Sequence, residues 1–362
     1  AMHIGIIGAG QLGRMMALSG IPLGLRFTMY DQRADVPGAA VAPIVTGQFD
    51  DHRKLARFAR GVDVVTFDWE NVPVESVRAI AKIRPVWPPP RSLAASQDRL
   101  SEKRLFQRLG IPVAPYSAIE TRADLARAIA TIGAPGILKT RRLGYDGKGQ
   151  VAIRRAADAD DAFELLHGRP LLYERYVRFS REVSLVAARD RAGNIACYPL
   201  AANVHEQGIL VETRAPYRQA RLQREAERHH RRLMQALGHV GVLCVEYFVE
   251  RGRLVANEMA PRVHNSGHWT IEGAETSQFE NHVRAIAGLP LGGTRPRGHS
   301  VMVNLIGRMP GRKTVLGIAG VHLHDYDKSP RPGRKLGHLT AVAATARQRD
   351  RAALRLLRIS GR

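Results

Sequence analysis

The stretch Asn257-Glu258-Met259-Ala260-Pro261-Arg262-Val263-His264-Asn265-Ser266-Gly267-His268 crowds an acid, two amides, an arginine and two histidines into one strand end and the loop behind it. A second acid, Glu246, lies just upstream, across a short turn at Glu250-Arg251-Gly252-Arg253. A solvated loop beside an apolar strand has no use for that mixture. A site holding a divalent cation and an anion does. With a hairpin centred on Gly252, Glu246 and Glu258 face each other with their side chains on one face. Two carboxylates so close repel unless a cation lies between them. Magnesium suits, since it takes one or two carboxylates and fills its shell with nucleotide phosphates and water. The plainer alternative pairs one acid with an arginine such as Arg262.

Two glycine-rich turns also carry chemistry. Gly8-Ala9-Gly10-Gln11-Leu12-Gly13 follows a strand and opens a helix, and Asp31 ends the next strand. That is a dinucleotide fingerprint, or else a tight strand-to-helix turn whose N–H groups hold another phosphate or nothing. The second turn, Gly144-Tyr145-Asp146-Gly147-Lys148-Gly149-Gln150, lies between two strands, with Lys139 on the first. It lacks the spacing of a phosphate loop that opens a helix. A flexible hairpin of this kind can fold over triphosphate oxygens as a lid, its N–H groups serving as donors, or else it is an ordinary hairpin with a solvated lysine. Glu174 and Glu182, at strand ends, suit ribose hydroxyls or an adenine amine, or plain surface ion pairs. Glu70, in Phe67-Asp68-Trp69-Glu70-Asn71-Val72, ends a strand of a parallel unit, where ligands bind in open sheets. Lys328 and Arg334-Lys335 flank Pro330-Arg331-Pro332-Gly333, a rigid basic turn suited to a phosphate monoester.

The elements that must position these groups read as α/β. In the first 97 residues, strands at His3–Ile7, Leu25–Tyr30 and Val62–Phe67 alternate with helices at Leu12–Ser19 and Arg53–Arg60, which implies a parallel sheet. Pro85 and Pro88-Pro89-Pro90 close this unit, and Asp98–Leu109 reads as a helix stopped by Gly110. Strands at Gly136–Lys139, Gln150–Arg154 and Leu171–Val177 form a second unit. From Glu182 onward strands dominate, including Val183–Ala188, Ile195–Pro199, Val242–Val249 and Leu254–Met259. The expected division is therefore 1–97, 98–182 and 183–362.

Composition bounds the rest. The 362 residues carry a formal charge of +22, with denser basic runs at 221–232 and 347–362. Aromatics are only 6% and do not interleave with the basic residues, so an arginine-rich enzyme surface for anionic substrates is expected, not a nucleic-acid module. Residues Arg347–Arg358 have the apolar spacing of a solvated amphipathic helix. Only Cys197 and Cys244 are present, both in apolar runs, so no disulfide framework is expected. No apolar run is long enough to span a membrane and no secretory leader is seen, so a cytoplasmic setting is expected.

Taken together, these motifs resemble the ATP-grasp superfamily, and within it the N5-carboxyaminoimidazole ribonucleotide synthase family. The likeness runs from Gly8–Met15 to Arg334–His338. Its most specific pieces are Gly144–Gln150, Asn257–His268, Ser277-Gln278-Phe279-Glu280 and Val303-Asn304-Leu305-Ile306-Gly307. The resemblance implies an ATP-grasp fold with an N-terminal Rossmann-like domain, a small lid domain and a C-terminal α+β domain. It implies ATP- and bicarbonate-dependent carboxylation of 5-aminoimidazole ribonucleotide through carboxyphosphate, with magnesium as the metal and a homodimer as the assembly. By the same resemblance ATP is held by Arg99, Lys139, the loop Gly144, Tyr145, Asp146, Gly147, Lys148, Gly149 and Gln150, and by Glu174, Glu182, His205, Asn257 and Glu258. Glu246 and Glu258 bind the metal. Glu70, Tyr145 and Asp146 contact the ribonucleotide, and Lys328 and Arg334 hold its phosphate. Arg262, His264, Asn265 and Ser266 line the place where carboxyphosphate forms. Asp146 is the expected proton acceptor for the amine, with His264 second, and His268 has no assigned role. The chain departs from the family pattern at Asp68, where Glu is common, and at Asp325, where an aromatic is. Another ATP-grasp ligase, or an NAD-dependent dehydrogenase resting on Gly8–Gly13 and Asp31, are the competing readings. The dehydrogenase leaves Glu246, Glu258 and the second glycine loop without work.

Overall fold

The apolar runs of the first unit form a four-stranded parallel sheet, seen in a computed structural model that describes all 362 residues. Its strands are β1 (His3–Ile7), β2 (Arg26–Asp31), β3 (Ile44–Thr46) and β4 (Val64–Phe67), in the order β3-β2-β1-β4. β4 is buried along its whole length, as a strand covered on both faces must be. Helices α1 (Gln11–Gly20) and α2 (His52–Arg60) are crossovers of this unit, and α3 (Val74–Ala81) follows its last strand. Two further helices follow, α4 (Pro90–Gln97) and α5 (Arg99–Arg108), with Asp98 capping α5 by accepting from the Leu100 N–H at 2.9 Å.

A small antiparallel sheet comes next, built from β5 (Tyr116–Ile119), β6 (Gly136–Thr140), β7 (Gln150–Ile153) and β8 (Leu171–Arg175) in the order β5-β8-β6-β7. Helices α6 (Arg122–Ile132) and α7 (Ala159–Leu166) cover it, with Leu125, Ile129 and Ala162 packed on Leu138 and Ile153.

The remaining strands make one large antiparallel sheet: β9 (Arg181–Arg189), β10 (Ile195–Cys197), β11 (Ala201–Glu206), β12 (Ile209–Ala215), β13 (Gly241–Glu250), β14 (Arg253–Ala260), β15 (His299–Ile306), β16 (Val321–Asp325) and β17 (Lys335–Ala343). Their order is β14-β13-β9-β11-β12-β15-β17-β16, with β10 on β9. The basic run at 221–232 lies within a helix, α8 (Ala220–Leu237), which was not foreseen. Its Leu222, Ala226, Leu233, Met234 and Leu237 join the core on one face of the large sheet, and its arginines point outward. Leu105 and Phe106 of α5 lie in that same core, so α5 packs with the large sheet, although the sequence division grouped it with the small one. On the other face, α9 (Thr270–Gly273) and α10 (Gln278–Ile286) pack between the large sheet and the parallel unit, where Phe279, Val283 and Ile286 share a core with Ile4, Met15 and Met29. After a short α11 (Arg312–Leu316), the C-terminal α12 (Ala346–Ser360) buries Ala353 and Leu356 against β15 and β17. Its Leu354 faces solvent, so the apolar stripe is narrower than the sequence spacing suggested.

Candidate functional site

The β13–β14 hairpin turns at Arg251-Gly252, both at positive φ (50° and 73°), as a two-residue hairpin turn of the primed type requires. Pairing starts at Glu250↔Arg253 and runs regularly to Tyr247↔Ala256. There the register shifts, and Glu246 pairs with Glu258. The two acids do face each other, but not because the turn is centred on Gly252. Continued regular pairing would set Glu246 opposite Asn257 and turn Glu258 to the core face. A β-bulge at Asn257 corrects this and points Asn257 and Glu258 into one cavity.

Helix α5 braces the bulge through residues the sequence reading missed. Lys103 Nζ donates to the Asn257 carbonyl at 3.0 Å, and the Met259 N–H donates to Glu102 Oε2 at 3.0 Å. From the same helix, Arg99 Nη1 meets Glu258 Oε2 at 3.1 Å. Glu102 and Lys103 are almost fully buried, yet in the sequence they look like the solvated charges of any helix.

The charges are coupled. Burial opposes ionisation of Glu258, but Arg99, a hydrogen bond with Glu246 and Lys139 together outweigh it and hold the carboxyl well below the usual carboxylate range. Burial and the adjacent Glu258 push Glu246 the other way. Without a cation, then, the pair does not carry two full charges. No third His, Cys, Asp or Glu completes a metal cage. A pair of this kind fits a cation that arrives with phosphate ligands of its own. His205 bridges Glu182 (3.2 Å) and Glu246 (3.5 Å). Burial opposes its charge, yet these two carboxylates raise the imidazole to about 10.

Two adjoining cavities meet at this pair. The first is walled by Lys139, Gln150, Glu182 and Asn257; the second by Glu70, Arg262, His264 and Asn265. Arg99, Tyr145, Asp146, His205, Glu246 and Glu258 border both. Glu174 does not line either cavity. It is buried between Lys139 (3.3 Å) and Lys103 (3.4 Å), and although burial opposes its charge, Lys103, Lys139 and Arg99 hold it down at about 2. The carboxylate expected on the nucleotide is thus the counterion of the lysines.

Of the glycine loop, Gly144, Tyr145, Asp146, Gly147 and Gln150 border the cavities, whereas Gly149 does not and Lys148 sits over the Tyr145 ring instead. The loop rests on the β11–β12 turn: a Cβ on Gly147 would lie 2.7 Å from the Gln207 carbonyl, and Gly147 is at φ +76°. Asp146 Oδ1 meets Lys335 Nζ at 3.2 Å.

In the second cavity Arg262 is ion-paired to Glu70 and donates to the Val263 carbonyl at 2.8 Å. Asn265 and Asn304 exchange amide hydrogen bonds (3.1 and 2.6 Å). Gln278 holds His264 on both sides, accepting from its N–H (3.0 Å) and donating to its carbonyl (2.6 Å). That gives the Ser277–Glu280 motif a physical role. His268 lines the cavity wall, buried against Gln278, Phe279 and His338. Ser266 is buried behind His264 and does not reach the cavity. Neither Lys328 nor Arg334 borders it: Lys328 Nζ meets Gln11 Oε1 (3.2 Å), and Arg334 turns to Ser329. Lys335, next in the chain, does border it.

The first glycine turn spends three of its N–H groups on carboxylates of the chain itself. The N–H groups of Gly10 (2.7 Å) and Gly13 (3.3 Å) donate to Asp68 Oδ2, and that of Ala9 to Asp31 Oδ2 (2.8 Å). The buried Asp68 carboxylate occupies the helix N-terminus where a pyrophosphate would sit. Gly8 is needed for its approach, since a Cβ there would stand 1.8 Å from Asp68 Oδ1.

Comparison with known proteins identifies the domains and the fold. Residues 1–97 match the ribonucleotide synthetase preATP-grasp domain, 104–279 the ATP-grasp domain and 300–352 the phosphoribosylaminoimidazole carboxylase C-terminal domain. The chain is 48% identical to an N5-carboxyaminoimidazole ribonucleotide synthase of Pseudomonas aeruginosa, over 98% of this chain and 96% of that one. It is 44% identical to the synthase of Brucella melitensis, over 94% and 96%. Its fold is similar to the crystal structure of the synthetase from Thermus thermophilus (TM-score 0.95, 49% identity, 98% of each chain). It is also similar to the synthase of Aspergillus clavatus in complex with ADP and 5-aminoimidazole ribonucleotide (TM-score 0.93, 28% identity, 100% and 99% covered).

Proposed function

The chain belongs to the N5-carboxyaminoimidazole ribonucleotide synthase family of ATP-grasp ligases, and on that basis we propose how its residues divide the work of the reaction. The enzyme carboxylates 5-aminoimidazole ribonucleotide at the expense of ATP, a step of purine biosynthesis. The observation that carries the residue assignment is the facing of Glu246 and Glu258 where the two cavities meet.

ATP occupies the cavity walled by Lys139, Gln150, Glu182 and Asn257, with the 144–150 loop over its phosphates. The ribonucleotide occupies the other. Glu246 and Glu258 hold magnesium, which when bound neutralises phosphate charge as the phosphoryl group moves. Bicarbonate attacks the γ-phosphorus, the bond to ADP breaks, and carboxyphosphate forms. Lys139, Arg99 and Arg262 stabilise the spread negative charge. Carboxyphosphate yields CO2 and phosphate, and the substrate amine adds to CO2, passing its proton to Asp146. Loop closure keeps water from the labile intermediate. The cations Lys328, Arg331 and Arg334 cluster behind Lys335, which alone of the four borders the cavity. Burial, and then Arg334, Lys335 and Arg331, push the Lys328 ammonium down to about 8, a strain that a bound phosphate monoester relieves.

ATP hydrolysis with bicarbonate, measured with and without aminoimidazole ribonucleotide, tests the assignment, together with the carboxylated product. The ribonucleotide is expected to stimulate turnover, and Lys335→Met to raise its KM. Absence of stimulation removes the substrate assignment. A homodimer and a cytoplasmic location complete the reading by family membership. No helix is long and apolar enough to cross a membrane. Sedimentation equilibrium checks the assembly.

A further inference from the structure

We propose that Thr213, Asn203, Ser184 and Ser266 form a one-way hydrogen-bond chain that fixes His264 with its proton on Nε2, so that His264 acts as an N–H donor to anionic oxygen and never as the base. This rests on the placement of carboxyphosphate beside His264 and adds a role for each link behind it.

One backbone group in the chain has no choice of role. The Ser266 N–H lies 3.2 Å from His264 Nδ1 and can only donate, so Nδ1 must carry a lone pair. Ser266 Oγ, 2.8 Å from the same nitrogen, then also donates to it. Having given its proton, Ser266 Oγ accepts from Ser184 Oγ at 2.8 Å. Ser184 Oγ accepts from Asn203 Nδ2 at 2.9 Å, and Asn203 Oδ1 accepts from Thr213 Oγ1 at 2.8 Å. The side chains behind the histidine are all buried, and of them only Asn203 borders a cavity.

The reverse direction fails at one point. Flipping the Asn203 amide would make Ser184 donate to Asn203 and Ser266 donate to Ser184. Ser266 Oγ would then require a proton on Nδ1, and that proton would face the Ser266 N–H. Two donors in contact are repulsive, so the forward direction stands. With Nδ1 closed, Nε2 bears the remaining ring proton. It borders the second cavity, 3.9 Å from Glu246 Oε2, too far for a hydrogen bond between them. The proton released when the amine adds to CO2 has no lone pair to receive it at His264. This removes the histidine from the list of candidate bases and leaves Asp146.

The tautomer is measurable on the free protein, so it stands or falls independently of which substrate the site takes. Imidazole 15N shifts, with the His264 signals identified by their loss in His264→Gln, are expected to show a ring protonated on Nε2 alone. In Thr213→Val and Ser184→Ala the Ser266 N–H still closes Nδ1, so the ring is expected to stay protonated on Nε2, while the weakened Ser266 Oγ hydrogen bond moves the Nδ1 signal. Ser184→Thr is expected to restore the original shift. A ring protonated on Nδ1 in the unaltered protein overturns the proposal, as does an Nδ1 signal unmoved in both Thr213→Val and Ser184→Ala. In turnover, His264→Gln keeps an N–H donor but cannot act as a base, whereas His264→Phe has neither. The Phe variant is expected to lose about 100- to 1000-fold in kcat, as for loss of one oxyanion donor. The Gln variant is expected to lose far less. Equal loss in both refutes the donor role.

Discussion

Replacing Glu102 tests whether the bulge at Asn257 is what aims Glu258. Burial first, and the charge of Glu258 second, push the Glu102 carboxyl up to about 8, so at neutral pH it is a neutral acid accepting one hydrogen bond from the Met259 N–H. Glu102→Gln keeps an acceptor of the same shape and charge, and is expected to change little. Glu102→Leu leaves the Met259 N–H buried without a partner, which costs about 1–3 kcal/mol. If that loss falls on the geometry of Glu258, magnesium dependence of ATP hydrolysis weakens by about 5- to 150-fold. Stability is read by urea unfolding, and the metal dependence by titrating magnesium at fixed ATP. A pH series adds a second signature. The folded pKa of about 8 stands above the ordinary 4.5, so this group's stabilisation is full in acid. It declines as pH rises, by at most about 1.4 kcal/mol per pH unit, and is gone above the folded value. The Gln variant lacks that slope. A Leu variant with unaltered magnesium dependence, or a Gln variant as damaged as Leu, would refute the reasoning.

Three further outcomes are expected. Glu258→Ala abolishes ATP turnover while far-UV circular dichroism stays unchanged; retained activity removes the metal role. Gly8→Ala combines a φ of +89° with a Cβ placed on Asp68, so it lowers stability by at least the ~1–3 kcal/mol of backbone strain, read by thermal unfolding. Calorimetric titration with NADH gives no binding heat, in the unaltered protein or in Asp31→Asn; measurable NADH binding would return the first glycine turn to a nucleotide.

The sequence showed groups that local patterns identify, and hid those that only the fold brings near. Glu246 and Glu258 were legible as a pair, because acids set within two apolar strands are costly to keep together. The reason they face each other was not, since a bulge has no residue signature and Asn257 looks like a plain polar residue. Glu102 and Lys103 were invisible because helix surface charges and buried ones share a spacing. The first glycine turn misled for a different reason. Its phosphate-like partner, Asp68, comes from the far end of a neighbouring strand, and no local pattern announces it. Glu174 was read correctly as a strand-end acid and placed one layer too far forward, in front of the lysines instead of behind them. The loop 144–150 was legible as a glycine-rich turn between two strands, but its resting place on Gln207-Gly208 belongs to a strand turn far along the chain.

The two cavities are separated by little more than a pair of carboxylates. A compound made on one side is therefore already within capture range on the other. What competes with its capture is escape past the glycine loop. On the proposed division of the cavities, the loop would govern a yield more than a speed. A loosened loop would leave ATP consumption nearly intact and lower the fraction of each ATP that ends as product.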